Sequence, residues 1–155
     1  MKPLYIFDLD GTLALIDHRR PILYAENDPD KWRRFYAACD RDAPNAPVIN
    51  TMERLRTGGA DTWVFSGRSD EVRDKTLVWL TTHTAMTLRE LEDGALLMRD
   101  AGDHTADDVL KREWYDKMLE VDRARLVGVF DDRDRVVRMW RSVKVTCFQV
   151  AEGKF

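Results

Sequence analysis

The stretch Leu4-Tyr5-Ile6-Phe7-Asp8-Leu9-Asp10-Gly11-Thr12-Leu13 constrains this chain more than any other. An apolar run that ends in Asp-x-Asp-Gly-Thr reads as a buried parallel strand whose carboxyl end opens into a crevice, the place where open α/β sheets bind ligands. Alternation along a strand points Asp8 and Asp10 the same way, and Gly11 lets the chain turn sharply behind them. Two carboxylates so placed suit phosphoryl transfer: one attacks phosphorus while the other manages the leaving-group proton. The plainer alternative is an acidic strand end that caps the next helix.

Similar logic recurs downstream. Thr62-Trp63-Val64-Phe65 runs into Ser66-Gly67-Arg68, and Leu126-Val127-Gly128-Val129-Phe130 runs into Asp131-Asp132. A short strand is predicted over Ala95-Leu96-Leu97-Met98, and a last strand over Val143 to Val150. Helical spacing covers Val48 to Thr57, closed by Gly58-Gly59, then Asp70 to Leu80, Asp107 to Leu119 with Val109, Leu110, Trp114 and Met118 inward, and Arg135 to Arg141. Strands alternating with amphipathic helices predict an α/β fold, a doubly wound Rossmann-like parallel sheet. Residues 14–47 are polar and broken by Pro21, Pro29, Pro44 and Pro47, which predicts a small lid inserted after the first strand. Inside it, Asp30 to Cys39 has helical spacing, with Trp32, Phe35, Tyr36 and Cys39 on one face and Asp28 or Asp30 as its cap.

At 155 residues, 44% hydrophobic and 34% charged, the chain is expected to fold as one domain over 1–155. Neither a membrane span nor a secretory leader is expected, and two distant cysteines, Cys39 and Cys147, suit reduced thiols and a cytoplasmic setting. A net charge of -3 gives no global signature for nucleic acid, so any polynucleotide contact must come from a local cluster. His18, His83 and His104 show no ligand spacing and read as surface residues.

Asp8 and Asp10, Ser66-Gly67-Arg68, Lys111, and Asp131-Asp132 thus form one ordered set. A phosphate monoester is doubly negative, so carboxylate attack needs cations and donors to offset the repulsion. Mg2+ fits, because it prefers oxygen and binds through one or two carboxylates plus phosphate oxygens. Asp8, the Asp10 carbonyl and Asp131 are the candidate ligands, and Asp132 would orient a metal-bound water. The Ser66 hydroxyl and Gly67 N–H would hold phosphate oxygens, and Lys111 would set a compact positive charge against Asp8 and the phosphoryl group. Taken singly, each piece also has an ordinary reading as a turn, a solvated lysine or a helix cap.

This ordered set resembles the haloacid dehalogenase phosphatase superfamily. Within it the chain is similar to the 3′-phosphatase domain of bacteriophage-type polynucleotide kinase-phosphatase, through Phe7 to Ala14, Val64 to Arg68, Asp107 to Glu113, Phe130 to Arg133, Val136-Val137-x-Met139-Trp140-Arg141 and the block from Gln149 to Phe155. The resemblance is weakest over Trp32 to Cys39, where that family's insertion is shorter. It implies a magnesium-dependent phosphomonoesterase with an aspartyl-phosphate intermediate, Asp8 as nucleophile, Asp10 as acid and then base, and Thr12, Arg19, Ser66, Gly67 and Arg68 on the substrate side. The implied substrates are 3′-phosphorylated DNA or RNA ends, processed beside a separate kinase or ligase. Nucleotidase activity on small phosphates is the alternative, and a non-catalytic binding module a remoter one. No GxxxxGK[ST] loop occurs, so 5′-kinase activity is not expected of these residues. Arg19, Arg20, Arg33, Arg34 and Arg68 are interleaved with Tyr24, Trp32, Phe35 and Tyr36. Either guanidinium groups meet backbone phosphates while a ring stacks on a base, or the lid packs on its own aromatic face with the arginines solvated.

Overall fold

The computed structural model describes residues 1–154. Strand β1, Leu4–Phe7, is followed by the two-residue strand β2, Ala14–Leu15. After a 3-10 turn at Arg20–Tyr24 come helix α1, Lys31–Ala37, strand β3, Ala43–Pro44, and helix α2, Ala46–Thr57. Strand β4 spans Asp61–Ser69, helix α3 Arg73–His83, the single turn α4 Leu88–Glu90, and strand β5 Leu96–Arg99. Helices α5, Asp107–Lys117, and α6, Glu120–Arg125, lead to strand β6, Leu126–Asp131, helix α7, Asp134–Ser142, and strand β7, Cys147–Gln149.

Five strands pair in the order β5-β4-β1-β6-β7, and every pairing is parallel. The chain winds outward from β1 through β4 to β5, then returns to the other side of β1 for β6 and β7. That reversal is the topological switch point of a doubly wound sheet, and it opens at the carboxyl ends of β1, β4 and β6. Helices cover both faces. On one, Phe7, Val64 and Leu96 pack with Val48, Ile49 and Met52 of α2 and Leu77, Trp79 and Leu80 of α3. On the other, Leu4, Ile6, Phe65 and Val129 pack with Val136, Val137 and Trp140 of α7, beside Met118. Central strands buried on both sides explain the continuous apolar runs in the sequence.

Several boundaries differ from expectation. β4 continues through Ser66, Gly67 and Arg68, and its register against β5 slips between Ser66 and Ser69. The segment predicted as one helix from Asp70 begins as a 3-10 turn, Asp70–Val72, before α3. The last strand keeps only three residues, because Lys144 takes a positive φ of 62° and Val145 N–H donates back to the Trp140 carbonyl, so the chain turns before it can pair. Val109 faces solvent rather than the core. The two cysteines are buried and unlinked. Among the described residues no helix is long and apolar enough to cross a membrane. Phe155, the end of the C-terminal motif, lies outside the described residues.

Strands β2 and β3 pair antiparallel, with Ala14 opposite Pro44 and Leu15 opposite Ala43. This short ribbon closes the segment carrying α1 into a unit tied at its base. α1 starts where Asp28 accepts from Asp30 N–H and from the Arg34 guanidinium. Of the aromatic face expected there, Phe35 and Cys39 are buried, Tyr36 is half-buried and Trp32 is half exposed.

Candidate active site

A cavity of about 540 Å³ opens at the switch point, within the size range of small-molecule sites. Asp8, Asp10, Asp131 and Asp132 line it from the ends of the sheet strands, Lys111 from α5, and Ile16, Leu23, Trp32, Arg33, Phe35 and Tyr36 from the inserted segment.

β1 delivers Asp8 to the floor, where it is 6% exposed. Lys111 Nζ, from α5, donates to Asp8 Oδ1 at 2.6 Å and to Asp131 Oδ2 at 2.8 Å. The Thr12 hydroxyl, fully buried, donates to Asp8 Oδ2 at 3.2 Å. One ligand oxygen from each of Asp8, Asp131 and Asp132 lies within 4.8 Å of the others. Burial, together with the negative charges of Asp131 and Asp132, pushes the Asp8 carboxyl well above the usual range against the pull of Lys111. Burial and the adjoining Asp131 push Asp132 up to about 7. Burial alone would lower the Lys111 ammonium, but Asp131 and Asp8 outweigh it and the net shift is upward. Three carboxylates thus share one lysine, a donor set of hard oxygens with negative charge in excess, and it fits a divalent cation such as Mg2+. Gly11 makes this approach possible: its φ is +91°, and a Cβ there would sit 2.2 Å from Asp132 Oδ2.

Asp10 belongs to a second network. Its Oδ1 accepts from Arg19 Nη2 at 2.7 Å and from Arg68 Nη2 at 2.5 Å. Both guanidinium groups are buried, and both also reach Asp42, which accepts from Arg19 Nε and Nη2 at 2.7 Å and from Arg68 Nη2 at 2.9 Å. Burial would raise Asp10, but Arg68 and Arg19 outweigh it and hold its carboxyl below the ordinary range. Arg19 and Arg68 therefore both touch a carboxylate of the site, and of the two Arg68 lines the cavity while Arg19 sits behind Asp10. Ser66 is fully buried, with its Oγ accepting from Arg68 N–H, and the Gly67 carbonyl accepts from Arg99 Nε at 2.8 Å and from the Tyr36 hydroxyl at 3.4 Å. Neither Ser66 nor Thr12 lines the cavity, whereas Gly67 and Arg68 do.

A family model described as the polynucleotide kinase PNKP phosphatase domain matches residues 2–155. The chain belongs to this family. It is 29% identical over 145 residues to a protein of Autographa californica nuclear polyhedrosis virus described as a bifunctional polynucleotide kinase/RNA ligase, covering 92% of this chain and 18% of that protein. A chain in the structure of the Pnkp1/Rnl/Hen1 RNA repair complex superposes with a TM-score of 0.76 at 30% identity, over 99% of this chain and 44% of that one. A class C acid phosphatase from Bacillus anthracis, at 15% identity and a TM-score of 0.68 over 99% of this chain and 68% of that one, shares the fold. The chain therefore spans less than half the length of the viral protein and of the repair-complex chain.

Several residues of this PNKP-type site were not singled out from the sequence. Asp42 carried no local signal, since its partners lie 23 and 26 residues away and it sits in a loop before β3. Arg99 ends β5 and pairs with Asp107, which also pairs with Arg133. Asp107 stands four residues before Lys111, so both face the same side of α5, a spacing that could have flagged it. His18, expected at the surface, is partly exposed but its Nε2 lies 2.8 Å from Asp42 Oδ1.

Proposed function

We propose that this chain removes the 3′-phosphate from polynucleotide ends in a magnesium-dependent reaction through an aspartyl-phosphate. The observation that carries this reading is the placement of Asp8 beside Lys111 on the cavity floor, with Asp10 next to it on a separate arginine support. Family membership and the likeness to a chain of an RNA repair complex support the choice of nucleic acid ends as substrate.

In the reaction, a carboxylate oxygen of Asp8 attacks phosphorus in line as the bond from phosphorus to the ribose 3′-oxygen breaks. Asp10 donates its proton to that departing oxygen. Arg19 and Arg68 keep Asp10 ionised at rest, so the proton is taken up as the phosphate dianion approaches and offsets them. Asp10, again a carboxylate, then accepts a proton from the water that attacks the phosphoryl group on Asp8, which releases inorganic phosphate and restores Asp8. Lys111 stabilises charge on the phosphoryl oxygens throughout. Mg2+ held by Asp8, Asp131 and Asp132, with Asp10 alongside, would supply further positive charge to the phosphate.

A panel assay with Mg2+ tests the reading. Phosphate release from 3′-phosphorylated DNA and RNA oligonucleotides should exceed release from 3′- and 5′-mononucleotides and from cyclic 2′,3′-phosphate ends at equal concentration. Asp8→Asn should abolish turnover, since an amide cannot form the acyl phosphate, whereas Asp10→Asn should still trap phosphoenzyme from substrates with good leaving groups. Equal or better turnover of 5′-mononucleotides would replace this reading with a nucleotidase.

A further inference from the structure

We infer that Trp32 is the platform on which the nucleobase of the substrate's terminal nucleotide stacks. This rests on the reading of the site as a phosphatase for polynucleotide ends and names the residue that recognises the leaving group. The inference begins with Asp10. An acid that protonates the departing oxygen must face it, so the nucleoside lies on the Asp10 side of the phosphate rather than on the Lys111 side.

Contacts lead from Asp10 directly to the inserted segment. Arg19 bonds Asp10, and its guanidinium lies over the Phe35 ring at 4.1 Å. Phe35 meets Trp32 edge to face at 5.9 Å, and Trp32 also leans on Tyr36 at 6.0 Å. Three attachments hold this aromatic group over the site: Arg19 Nη1 donates to the Phe35 carbonyl, the Tyr36 hydroxyl to the Gly67 carbonyl, and Lys75 Nζ to the Ala37 carbonyl. The inserted segment faces the cavity with a mostly apolar wall of Ile16, Leu23, Trp32, Phe35 and Tyr36, beside which stands Arg33.

Burial separates the roles within this wall. Phe35 is 4% exposed and fills the packing beneath α1, while Trp32 is 49% exposed and lines the cavity. A lid packed only on its own aromatic face would bury its largest ring. Here the largest ring is left half open, at the cavity, supported from behind by two others. A flat, partly hydrated indole braced in this way suits a flat, partly polar partner, and a nucleobase offers the matching π-face. Stacking of this kind tolerates any base, so the platform would favour nucleotides over other phosphomonoesters without reading sequence.

The experiment compares two 3′-phosphorylated oligonucleotides that differ only at the terminal nucleotide, one with a base and one abasic. Thermal melts of each variant would establish that it folds. For Trp32→Ala, KM on the base-bearing substrate should rise roughly tenfold or more, as expected for one lost stacked base, with kcat changed far less. KM on the abasic substrate should move by less than about twofold, because nothing there stacks. Trp32→Phe should recover most of the loss. If wild type acts on both oligonucleotides and Trp32→Ala affects them equally, or affects neither, the platform is refuted and the phosphatase reading stands. If wild type releases phosphate from small phosphomonoesters but from neither oligonucleotide, the reading beneath it fails and the platform falls with it.

Discussion

Lys111 bonds Asp8 directly, whereas Asp42 supports Asp10 through the two arginines they share. Arg19 and Arg68 are fully buried, and Asp10 alone cannot balance two guanidinium groups. Asp42, 3% exposed, supplies the second carboxylate and fixes both arginines from behind. Removing one partner of a buried ionic cluster leaves an uncompensated charge, at a cost of about 3–5 kcal/mol. Asp42→Ala should therefore lower the unfolding free energy by about that amount and also reduce turnover by roughly tenfold or more, because Asp10 loses its support. Denaturant melts and steady-state kinetics measure both, with Asp40→Ala as the control. Asp40 is exposed and only loosely paired with Lys75 at 3.5 Å, so its loss should cost about 0.5 kcal/mol or less. At this scale Asp8, Asp10, Asp131 and Asp132 were legible because they stand at strand ends, and Lys111 only through its place in the ordered set, since alone it reads as a solvated helix residue. Asp42 was not legible, because only the closed fold brings it to its partners.

Elements show the same division between local and distant causes. The five strands and the longer helices were legible because burial on both sheet faces writes long apolar runs and amphipathic periods. Helix α6 was missed, since its six residues are mostly charged and none is buried. The single turn α4 was missed as well, although Thr87 and Glu90 form a capping box there. The C-terminal segment is the informative case. Gln149 Nε2 donates to the Asp132 carbonyl at 3.0 Å and to Asp134 Oδ1 at 2.7 Å, and Asp134 N–H donates to the Gly153 carbonyl. The segment therefore clamps the loop that presents Asp131 and Asp132. It lies so close that a Cβ on Gly153 would come within 2.2 Å of the Asp132 carbonyl oxygen, a main-chain atom with little freedom to yield. Gly153→Ala should displace the clamp and reduce phosphatase turnover severalfold, while the unfolding free energy falls by only about 1–3 kcal/mol, the usual cost of overpacking. Kinetics that fall no further than stability explains would show that the clamp does not position the loop.

For the molecule as a whole, the cavity's charge couples stability to pH and to the cation proposed to bind among Asp8, Asp131 and Asp132. Asp132 is raised from 3.8 to about 7 by burial and by Asp131, and Asp8 is raised for similar reasons. Between those limits the folded chain holds a proton that the unfolded chain has released, so stability is fully present below the unfolded value and is lost as pH rises through the folded one. Asp10 carries the opposite sign: its carboxyl is lowered, so its contribution is present above the ordinary carboxylate pKa and fades below it. The raised Lys111 loses its contribution only under strongly alkaline conditions. From about pH 5 to about pH 8 the raised pair therefore dominates this site, and the metal-free protein should melt at progressively lower temperature. A divalent cation needs those carboxylates ionised and binds only the folded arrangement, so it should stabilise by mass action and do so more strongly at the higher pH. Thermal melts with and without Mg2+ at the two ends of this range provide the measurement. Asp132→Asn removes one of the two raised carboxyls and one of the three carboxylates proposed to hold the cation, so the difference between the two Mg2+ shifts should shrink to what Asp8 alone contributes. A Mg2+ shift of equal size at both pH values in the unmodified protein would mean that the cation does not settle among Asp8, Asp131 and Asp132.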